Sequence, residues 1–175
     1  MHNTHHIYLI AAADSNFGIG KQGDLPWRLK KELAYFTRVT TTTEDPHKQH
    51  MVVMGQRTWE SLPPSFRPLP HRKNVVLTDD ASFTAEGAEV AHSLEEAYDT
   101  ADDSIESIFI IGGGYTYKTT IDRPETDGVY LTHVEGDFGC DTFFPPIPEV
   151  FSVVTELGHE TEGNISFTFK KYERP

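Results

Sequence analysis

One carboxylate, Glu32, lies on the apolar face of a helix predicted over residues 28–39. On a helical wheel with a rotation of about 100° per residue, the apolar stripe of that helix consists of Leu29, Leu33, Phe36 and Val39. Burial of a carboxylate without a partner is costly and raises its pKa, so this position favours a ligand-binding group at the floor of a cleft. The alternative is a slightly rotated helix, with Glu32 in solvent.

Two segments pass from an apolar strand through glycine into a helix. They are residues 51–59 and 108–115. Glycine lets the backbone approach a ligand closely, and free N–H groups at the start of a helix bind phosphate. Neither segment is a dinucleotide fingerprint or a Walker loop, and each alone is compatible with an ordinary turn. Two such corners in one small domain favour a phosphate-bearing cofactor, with Arg57 and Thr58 adding a cation and a hydroxyl.

Residues 14–27 form a loop with three glycines and one proline after the first predicted strand. Open α/β sheets bind ligands at the carboxyl ends of their strands, so the position of this loop predicts a lid over a site. An ordinary surface loop is the alternative. Trp27, which lies in the loop just before the helix of Glu32, favours a site.

The alternation of strands and helices predicts how these residues are positioned. Apolar runs that predict strands covered on both faces are residues 7–13, 51–54, 75–77, 108–111 and 129–132. Helical segments are predicted at residues 28–39, 57–62, 94–101 and 115–121. Residues 151–157 and 165–172 predict an antiparallel hairpin at the sheet edge, joined by residues 158–164. We expect one α/β domain over residues 1–175, with a mixed, mostly parallel sheet of about eight strands and helices on both faces.

The composition limits the class of partner. The 175 residues have a formal net charge of −12, which argues against nucleic acid or an anionic membrane as the main partner. The lysines and arginines are concentrated in residues 1–73, and none lies in residues 74–117. A single cysteine, Cys140, excludes an intrachain disulfide, and no Cys/His cluster has zinc spacing. With no apolar run of membrane length and no signal peptide, we expect a cytoplasmic protein without a metal site.

Five motifs cover nearly the whole chain. They are Gly18-Ile19-Gly20 with Gly23-Asp24-Leu25-Pro26-Trp27, Glu32, Phe36 and Thr40; Val53-Met54-Gly55-Gln56-Arg57-Thr58-Trp59-Glu60-Ser61; Arg67-Pro68-Leu69 with Arg72; Ile110-Ile111-Gly112-Gly113; and Asp141-Thr142-Phe143-Phe144-Pro145. Their residues and order resemble dihydrofolate reductase, and jointly they are highly specific. The chain has no room for the thymidylate synthase domain that is fused to some members of that family.

The resemblance implies NADPH-dependent reduction of 7,8-dihydrofolate to 5,6,7,8-tetrahydrofolate, which serves one-carbon and nucleotide metabolism. Hydride passes from nicotinamide C4 to pterin C6, and a water-mediated proton reaches N5. The catalytic residues implied are Glu32, Trp27 and Thr132. Glu32 binds the pterin N3 and 2-amino group and raises the basicity of N5, while Trp27 and Thr132 hold the water and the carboxylate. The family also implies antifolate binding and a monomer.

The substrate-binding residues follow from the same resemblance. Arg72 is expected to pair with the α-carboxylate of the substrate's glutamate, a bidentate task that suits arginine. With Glu32, the residues expected to line the pterin and aminobenzoyl cleft are Ile10, Ala11, Leu33, Phe36, Leu62, Leu69, Ile111 and Tyr117.

The resemblance assigns a second set of residues to the cofactor. Ala12, Ile19 and Gly20 match positions beside the nicotinamide. Arg57 and Thr58 match the diphosphate site, together with Gly113 and Gly114. The other expected cofactor residues are Gly55, Gln56, Leu77, Thr78, His92, Ile111, Gly112, Tyr115 and Thr116. The family also implies a cis peptide between Gly112 and Gly113, which is uncommon for a non-proline residue.

One position departs from the family. The family often places Arg or Lys around the adenosine 2′-phosphate, where this chain has Thr78-Asp79-Asp80 and His92-Ser93. Asp79 would repel a phosphate dianion, although Arg57, Thr78 and His92 offer contacts to it. We therefore expect NADPH to be used with a reduced margin over NADH.

Two other functions compete with this interpretation. One is a different reductase on the same fold, such as the pyrimidine reductase of riboflavin synthesis, which lacks the Asp24-Leu25-Pro26-Trp27 and Glu32 constellation. The other is a non-catalytic module that binds a nucleotide or a pterin. Loss of Glu32, Trp27 or Arg72 would have favoured that module, and all three are present.

Overall fold

The computed structural model describes residues 5–175, so residues 1–4 of the predicted domain lie outside the described residues. The strands are β1 (His6–Ala13), β2 (Gly18–Gly20), β3 (Gln49–Gly55), β4 (Lys73–Leu77), β5 (Glu89–Ala91), β6 (Ile105–Gly112), β7 (Gly128–Val134), β8 (Thr142–Phe143), β9 (Val153–Glu162) and β10 (Ile165–Glu173). The helices are α1 (Lys30–Thr41), α2 (Gln56–Ser61), α3 (Leu94–Asp99) and α4 (Gly114–Thr120). Within residues 5–175, none of the helices has the length and apolar character needed to cross a membrane.

Eight strands form one sheet in the order β5-β4-β3-β6-β1-β7-β10-β9. The six strands from β5 to β7 pair in parallel, whereas β10 is antiparallel to both β7 and β9. Each predicted apolar run lies within one of the parallel strands, and each predicted helical segment overlaps a helix. The predicted mixed, mostly parallel sheet with a C-terminal antiparallel hairpin is therefore confirmed.

Alternate residues of the central strands pack against helices on opposite faces of the sheet. In β1, Leu9 belongs to a core cluster that includes Tyr117 of α4. Its neighbour Ile10 belongs to a second cluster that includes Trp59 of α2, and Phe36 of α1 packs against that cluster. The continuous apolar character of β1 follows from this arrangement, because both faces of the strand are covered.

The orientation of α1 differs from the predicted wheel. The helix begins at Lys30 rather than at residue 28, and Leu33 is 60% exposed. Its buried face is centred on Tyr35, whose ring stacks on Phe169 of β10 with centroids 3.8 Å apart. Glu32 lies one turn before Tyr35 on that same face and is half-buried. The expected place of Leu33 in the buried stripe is wrong, and Glu32 is half-buried rather than fully in solvent.

The connection within the C-terminal hairpin is shorter than predicted. Residues 158–162 continue β9, because they pair with β10 up to the closing pair of Glu162 and Ile165. The turn itself contains Gly163, with a φ of +61°, and Asn164. A two-residue hairpin turn favours glycine at such a position. The expected seven-residue connection is therefore corrected to two residues.

Candidate active site

Many of the predicted site residues lie at the carboxyl ends of β3, β6 and β1, which are neighbours in the sheet, whereas Arg72 directly precedes the amino end of β4. Helices α2 and α4 begin directly after β3 and β6, and the loop before α1 follows β1. This edge is where open α/β sheets bind ligands. The carboxylate, the two glycine corners and the predicted lid therefore share one edge of the molecule.

Glu32 is the charged group of this edge that its surroundings perturb most. Its side chain lies in the first turn of α1 on the half-buried face. Desolvation by burial raises its pKa to about 7, and no hydrogen bond or cation within residues 5–175 opposes that shift. A carboxyl with a pKa near neutrality exists in both protonation states at physiological pH, which suits a group that binds and polarises a ligand.

Tyr117 connects Glu32 to the second glycine corner. Its hydroxyl donates a hydrogen bond of 2.7 Å to the carbonyl oxygen of Ile10. Burial, and then the negative charge of Glu32, raise the pKa of Tyr117, so this hydroxyl stays protonated. A Cβ atom built on Gly112 would lie 3.7 Å from the same hydroxyl. Ile10 and Gly112 therefore lie beside the buried hydroxyl of Tyr117, which also experiences the charge of Glu32.

Trp27 contributes a buried hydrogen-bond donor. The indole is 4% exposed and packs edge to face on Phe138, with ring centroids 5.2 Å apart. Its Nε1 atom is buried and has no acceptor within the described residues. A buried donor without an acceptor costs free energy, so this position fits a small polar molecule such as water.

Thr132 is nearly fully buried on β7, at 2% exposure, and pairs with Ala12 of β1. The expected contact from Thr132 to Glu32 is not among the side-chain hydrogen bonds of residues 5–175. Both Thr132 and Ala12 nevertheless lie near the carboxyl ends of their strands, on the edge that carries the other predicted residues.

Arg72 is a buried cation with no carboxylate partner. Its Nε donates to the carbonyl oxygen of Pro70 at 2.9 Å, and Nη1 donates to Thr40 Oγ1 at 2.9 Å. Arg72 is 8% exposed, and desolvation lowers its pKa. No Asp or Glu forms an ion pair with it within residues 5–175. A guanidinium held in this way is prepared for an anionic group of a ligand.

Most of the predicted apolar lining forms one group. Ile10 lies in the core cluster of the α1 and α2 face, and four other predicted lining residues pack against that cluster. These four are Phe36, Leu62, Leu69 and Ile111. Ala11 is half-buried and packs on the opposite cluster. Tyr117 belongs to that opposite cluster as well, and Leu33 lies in neither, because its side chain projects outward from α1.

The two glycine corners touch each other across β3 and β6. A Cβ atom on Gly55 would lie 3.0 Å from Thr116 Oγ1, and one on Gly112 would lie 3.1 Å from Thr58 Oγ1. The peptide bond between Gly112 and Gly113 is cis, as the resemblance implied. Side chains at these positions would crowd the hydroxyls, so glycine keeps the backbone of both corners open.

The remaining predicted cofactor residues extend from these corners toward β4 and β5. Thr78 Oγ1 donates to Gln56 Oε1 at 2.5 Å, and His92 Nδ1 is 2.9 Å from the carbonyl oxygen of Thr78. Leu77 ends β4 and is half-buried. Arg57 and Tyr115 are exposed at the starts of α2 and α4, and Gly114 follows the second corner. Gln56, Thr78 and His92 therefore form a hydrogen-bonded strip beside the glycines.

The predicted lid is more ordered than a simple loop. Its residues Gly18–Gly20 form β2, which pairs with β8, and Ile19 packs on the core. Asp14 holds its start, because Oδ1 accepts the N–H groups of Asn16 and Gly18 and Oδ2 accepts that of Phe138. Burial alone would raise the pKa of Asp14, but these hydrogen bonds together lower it.

Two residues that organise the site were not assigned a role from the sequence. Asp14 was a detectable candidate, because Asp followed by Asn and Gly after a strand is typical of an Asx turn. Thr40 belongs to the first family motif, which by itself gives it no role. It accepts the Arg72 hydrogen bond while its hydroxyl donates to Phe36 O at 2.8 Å. That role depends on the tertiary contact between α1 and the residues before β4.

Comparisons with known proteins identify the family of this chain. A family model described as dihydrofolate reductase matches residues 6–174. Dihydrofolate reductases of Heliothis virescens and Drosophila melanogaster are 43% and 42% identical to the chain. Each alignment covers 95% of this chain and 96% of the relative. The solved structure of Schistosoma mansoni dihydrofolate reductase superposes with a TM-score of 0.83 at 33% identity, covering 98% of this chain and 99% of that one.

The fold and the site define an α/β protein with a ligand-binding edge at the carboxyl ends of its parallel strands. The chain belongs to the dihydrofolate reductase family. This membership confirms the resemblance found in the sequence and the prediction of an enzyme of this oxidoreductase family. A bifunctional dihydrofolate reductase-thymidylate synthase of Daucus carota is also similar, at 41% identity, and the chain spans 33% of that longer protein.

The raised pKa of Glu32 predicts a pH-dependent cost in stability. Because its pKa is about 7 in the folded protein and 4.5 ordinarily, the folded state binds more protons between these values. Stability therefore falls as pH rises through this window. We expect Glu32→Gln to unfold with a free energy about 3 kcal/mol larger than that of the parent at about pH 8, and with no gain at about pH 4. Urea unfolding across this range measures the difference; a gain independent of pH would contradict the assignment.

Proposed function

We propose that the protein catalyses the NADPH-dependent reduction of 7,8-dihydrofolate to 5,6,7,8-tetrahydrofolate. The observation that carries the proposal is the half-buried Glu32 carboxylate, whose pKa is raised to about 7 and which has no partner within residues 5–175. Family membership supports the same reaction. In the proposed reaction a hydride reaches pterin C6 and a proton reaches N5.

Glu32 binds and orients the pterin in this proposal. Its two carboxylate oxygens accept hydrogen bonds from pterin N3 and the 2-amino group, a planar pair that matches a carboxylate. This contact raises the basicity of N5. The unpaired Trp27 indole N–H suits the water that carries the proton to N5, because that donor has no protein acceptor within residues 5–175. Thr132, buried on β7, is proposed to help hold this water, since it makes no direct hydrogen bond to Glu32 within residues 5–175.

Arg72 binds the opposite end of the substrate. It is held against Thr40, which lies eight residues after Glu32 on α1. At 1.5 Å per residue this separation is about 12 Å along the helix axis. The pterin ring and the glutamate α-carboxylate of dihydrofolate lie at opposite ends of an extended molecule. The donors of the pterin match the carboxylate at one end of α1, and the glutamate carboxylate matches the arginine at the other.

The apolar residues between these two ends accommodate the aminobenzoyl part of the substrate. Phe36, Leu62 and Leu69 form a continuous apolar surface along α1 and the segment after α2. Burial of an aromatic ring against such a surface is favourable and excludes water from the reacting atoms. Leu33, exposed on α1, is positioned to contact the outer part of the substrate.

The residues of the glycine corners fit a dinucleotide cofactor. Gly113 and Gly55 leave open backbone beside Thr58 and Thr116, where a Cβ atom would crowd either hydroxyl. The exposed Arg57 has no ion-pair partner in residues 5–175 and suits a diphosphate. When bound, NADPH supplies the hydride. Ala12, Ile19 and Gly20 would border its nicotinamide, and the strip from Gln56 to His92 its adenosine.

The proposal includes three further properties that the sequence predicts. The protein binds antifolates in the pterin cleft, acts as a monomer and works in the cytoplasm. The domain boundary at residues 1–175 is part of the same proposal. Antifolate binding follows from the same chemistry, because a cationic pterin analogue would pair with the Glu32 carboxylate.

Replacement of Glu32 tests the proposed reaction. Glu32→Gln keeps the size of the side chain but removes its charge and one acceptor. We expect kcat/KM for dihydrofolate at neutral pH to fall by about 100-fold, while the Kd of NADPH is unchanged. The loss of NADPH absorbance in the presence of dihydrofolate measures the rate, and cofactor fluorescence measures binding. Normal turnover in this variant would contradict the role of Glu32.

Replacement of Arg72 tests the orientation of the substrate. Arg72→Lys keeps a cation but loses the bidentate geometry, so we expect the KM for dihydrofolate to rise about tenfold. Dihydropteroate, which lacks the glutamate, is the matched control substrate, and its KM should not change. An equal rise for both substrates would show that Arg72 only supports the fold.

Asp79 tests the cofactor preference. It is exposed, and no cation pairs with it within the described residues, so its charge is unneutralised. We expect the ratio of kcat/KM for NADPH to that for NADH to be smaller than in relatives with a basic residue here. Asp79→Arg should raise this ratio by about tenfold, because it replaces repulsion of a phosphate with attraction.

The control for Asp79→Arg is Asp103→Arg, which makes the same charge change at another exposed position. An equal rise in both variants would reveal a general effect of net charge rather than a local contact. A parent ratio as large as that of relatives with a basic residue at this position would also contradict the prediction.

A further inference from the structure

Helix α1 does not cap its own first turn. Leu29 precedes the helix in an extended conformation and has no side-chain acceptor to offer. The first N–H groups of a helix need acceptors from outside the helix. Two consecutive lysines, Lys30 and Lys31, also place positive charge at the end of the helix where the dipole is positive, which is unfavourable.

The C-terminal hairpin supplies what α1 lacks. Glu162 Oε2 accepts the backbone N–H of Lys30 at 2.9 Å, and Glu162 Oε1 accepts that of Lys31 at 2.9 Å. The two carboxylate oxygens therefore each hold one helix N–H group. Lys31 Nζ also lies 3.1 Å from Glu160 Oε2 and donates to the carbonyl oxygen of Thr161 at 3.2 Å.

The position of Glu162 is determined by the hairpin turn. Glu162 pairs with Ile165 and is the last residue of β9 before Gly163, whose φ of +61° closes the turn in two residues. Two residues further along β10, Phe167 is fully buried in the core cluster that also contains Leu29. The tip of the hairpin is thus anchored on the same apolar cluster as the entry to α1.

We propose that Glu162 is a positioning residue for Glu32, because it holds the two N–H groups that immediately precede Glu32 in α1. This inference rests on the proposed role of Glu32 in dihydrofolate reduction. Glu162 touches neither substrate nor cofactor; it acts by keeping the first turn of α1 helical, which fixes the direction of the next side chain.

The rest of α1 is secured independently of Glu162. Tyr35 stacks on Phe169 in the middle of the helix, and Thr40 binds Arg72 at its end. Loss of Glu162 is therefore expected to fray only the first turn, where Glu32 lies. The consequence is a local change at the pterin end of the substrate, while the glycine corners, which belong to other elements, keep their geometry.

Kinetics of Glu162→Ala test the proposal. We expect kcat/KM for dihydrofolate to fall about 3- to 10-fold, the ordinary effect of losing a helix cap, with the Kd of NADPH unchanged. Glu162→Gln retains one acceptor oxygen and should recover part of the loss. Glu156→Ala is the matched control, since Glu156 is an exposed glutamate on the same strand, and it should behave like the parent.

A second control separates the helix cap from the neighbouring ion pair. Glu160→Ala removes the partner of the Lys31 side chain but leaves both N–H bonds of Glu162, so its kcat/KM should stay within about twofold of the parent. A merely structural role of Glu162 would weaken NADPH and dihydrofolate binding together. That result, or equal kinetics for Glu162→Ala and Glu156→Ala, would overturn the proposal.

The same experiment distinguishes this inference from the proposed function. Loss of turnover in Glu32→Gln with normal turnover in Glu162→Ala would overturn only the positioning role. Normal turnover in Glu32→Gln would overturn the role of Glu32 and this inference with it. If Glu162→Ala does not fold, Glu162→Gln provides the comparison, with Glu156→Gln as its control, and unchanged kinetics in that pair would overturn the proposal.

Discussion

The site depends on the desolvation of one carboxylate. Glu32 is turned inward on α1, and burial raises its pKa to about 7 because no cation or hydrogen-bond donor within residues 5–175 offsets the cost. A carboxylate in that state gains free energy when a ligand supplies donors. Binding of a polar ring is thus favoured at a carboxylate that lacks hydrogen-bond donors in the unliganded protein. The same desolvation lowers the free energy of unfolding, so this residue favours ligand binding at a cost in stability.

The surrounding elements hold that carboxylate in place and position the residues proposed to bind the rest of the substrate and the cofactor. Stacking of Tyr35 on Phe169 sets the rotation of α1, and Thr40 holds Arg72 at the far end of the same helix. Tyr117 joins the region of Glu32 to the second glycine corner through β1. One helix therefore sets the distance between the two charged groups proposed for the substrate, and the parallel sheet sets the cofactor edge beside it.

The sequence predicted the parallel strands because each is a continuous apolar run, and it predicted Glu32 because its position breaks a helical pattern. It misplaced Leu33, since the wheel cannot show that Tyr35 rather than Leu33 faces the sheet. Strands β2 and β8 have only three and two residues, and their pairing depends on residues far apart in the chain. Glu162 was also missed, because a helix cap that comes from another element of the fold leaves no local pattern in the sequence.

The most direct test of this account is a measurement of the Glu32 side chain itself. Carbon-13 NMR of the carboxyl groups in the ligand-free protein, with Glu32→Gln used to assign the resonance, gives the pKa of this residue without any assay of activity. We predict a midpoint of about 7. A midpoint near the ordinary value of 4.5 would show that Glu32 is solvated, and would contradict the claim that desolvation prepares it for a ligand.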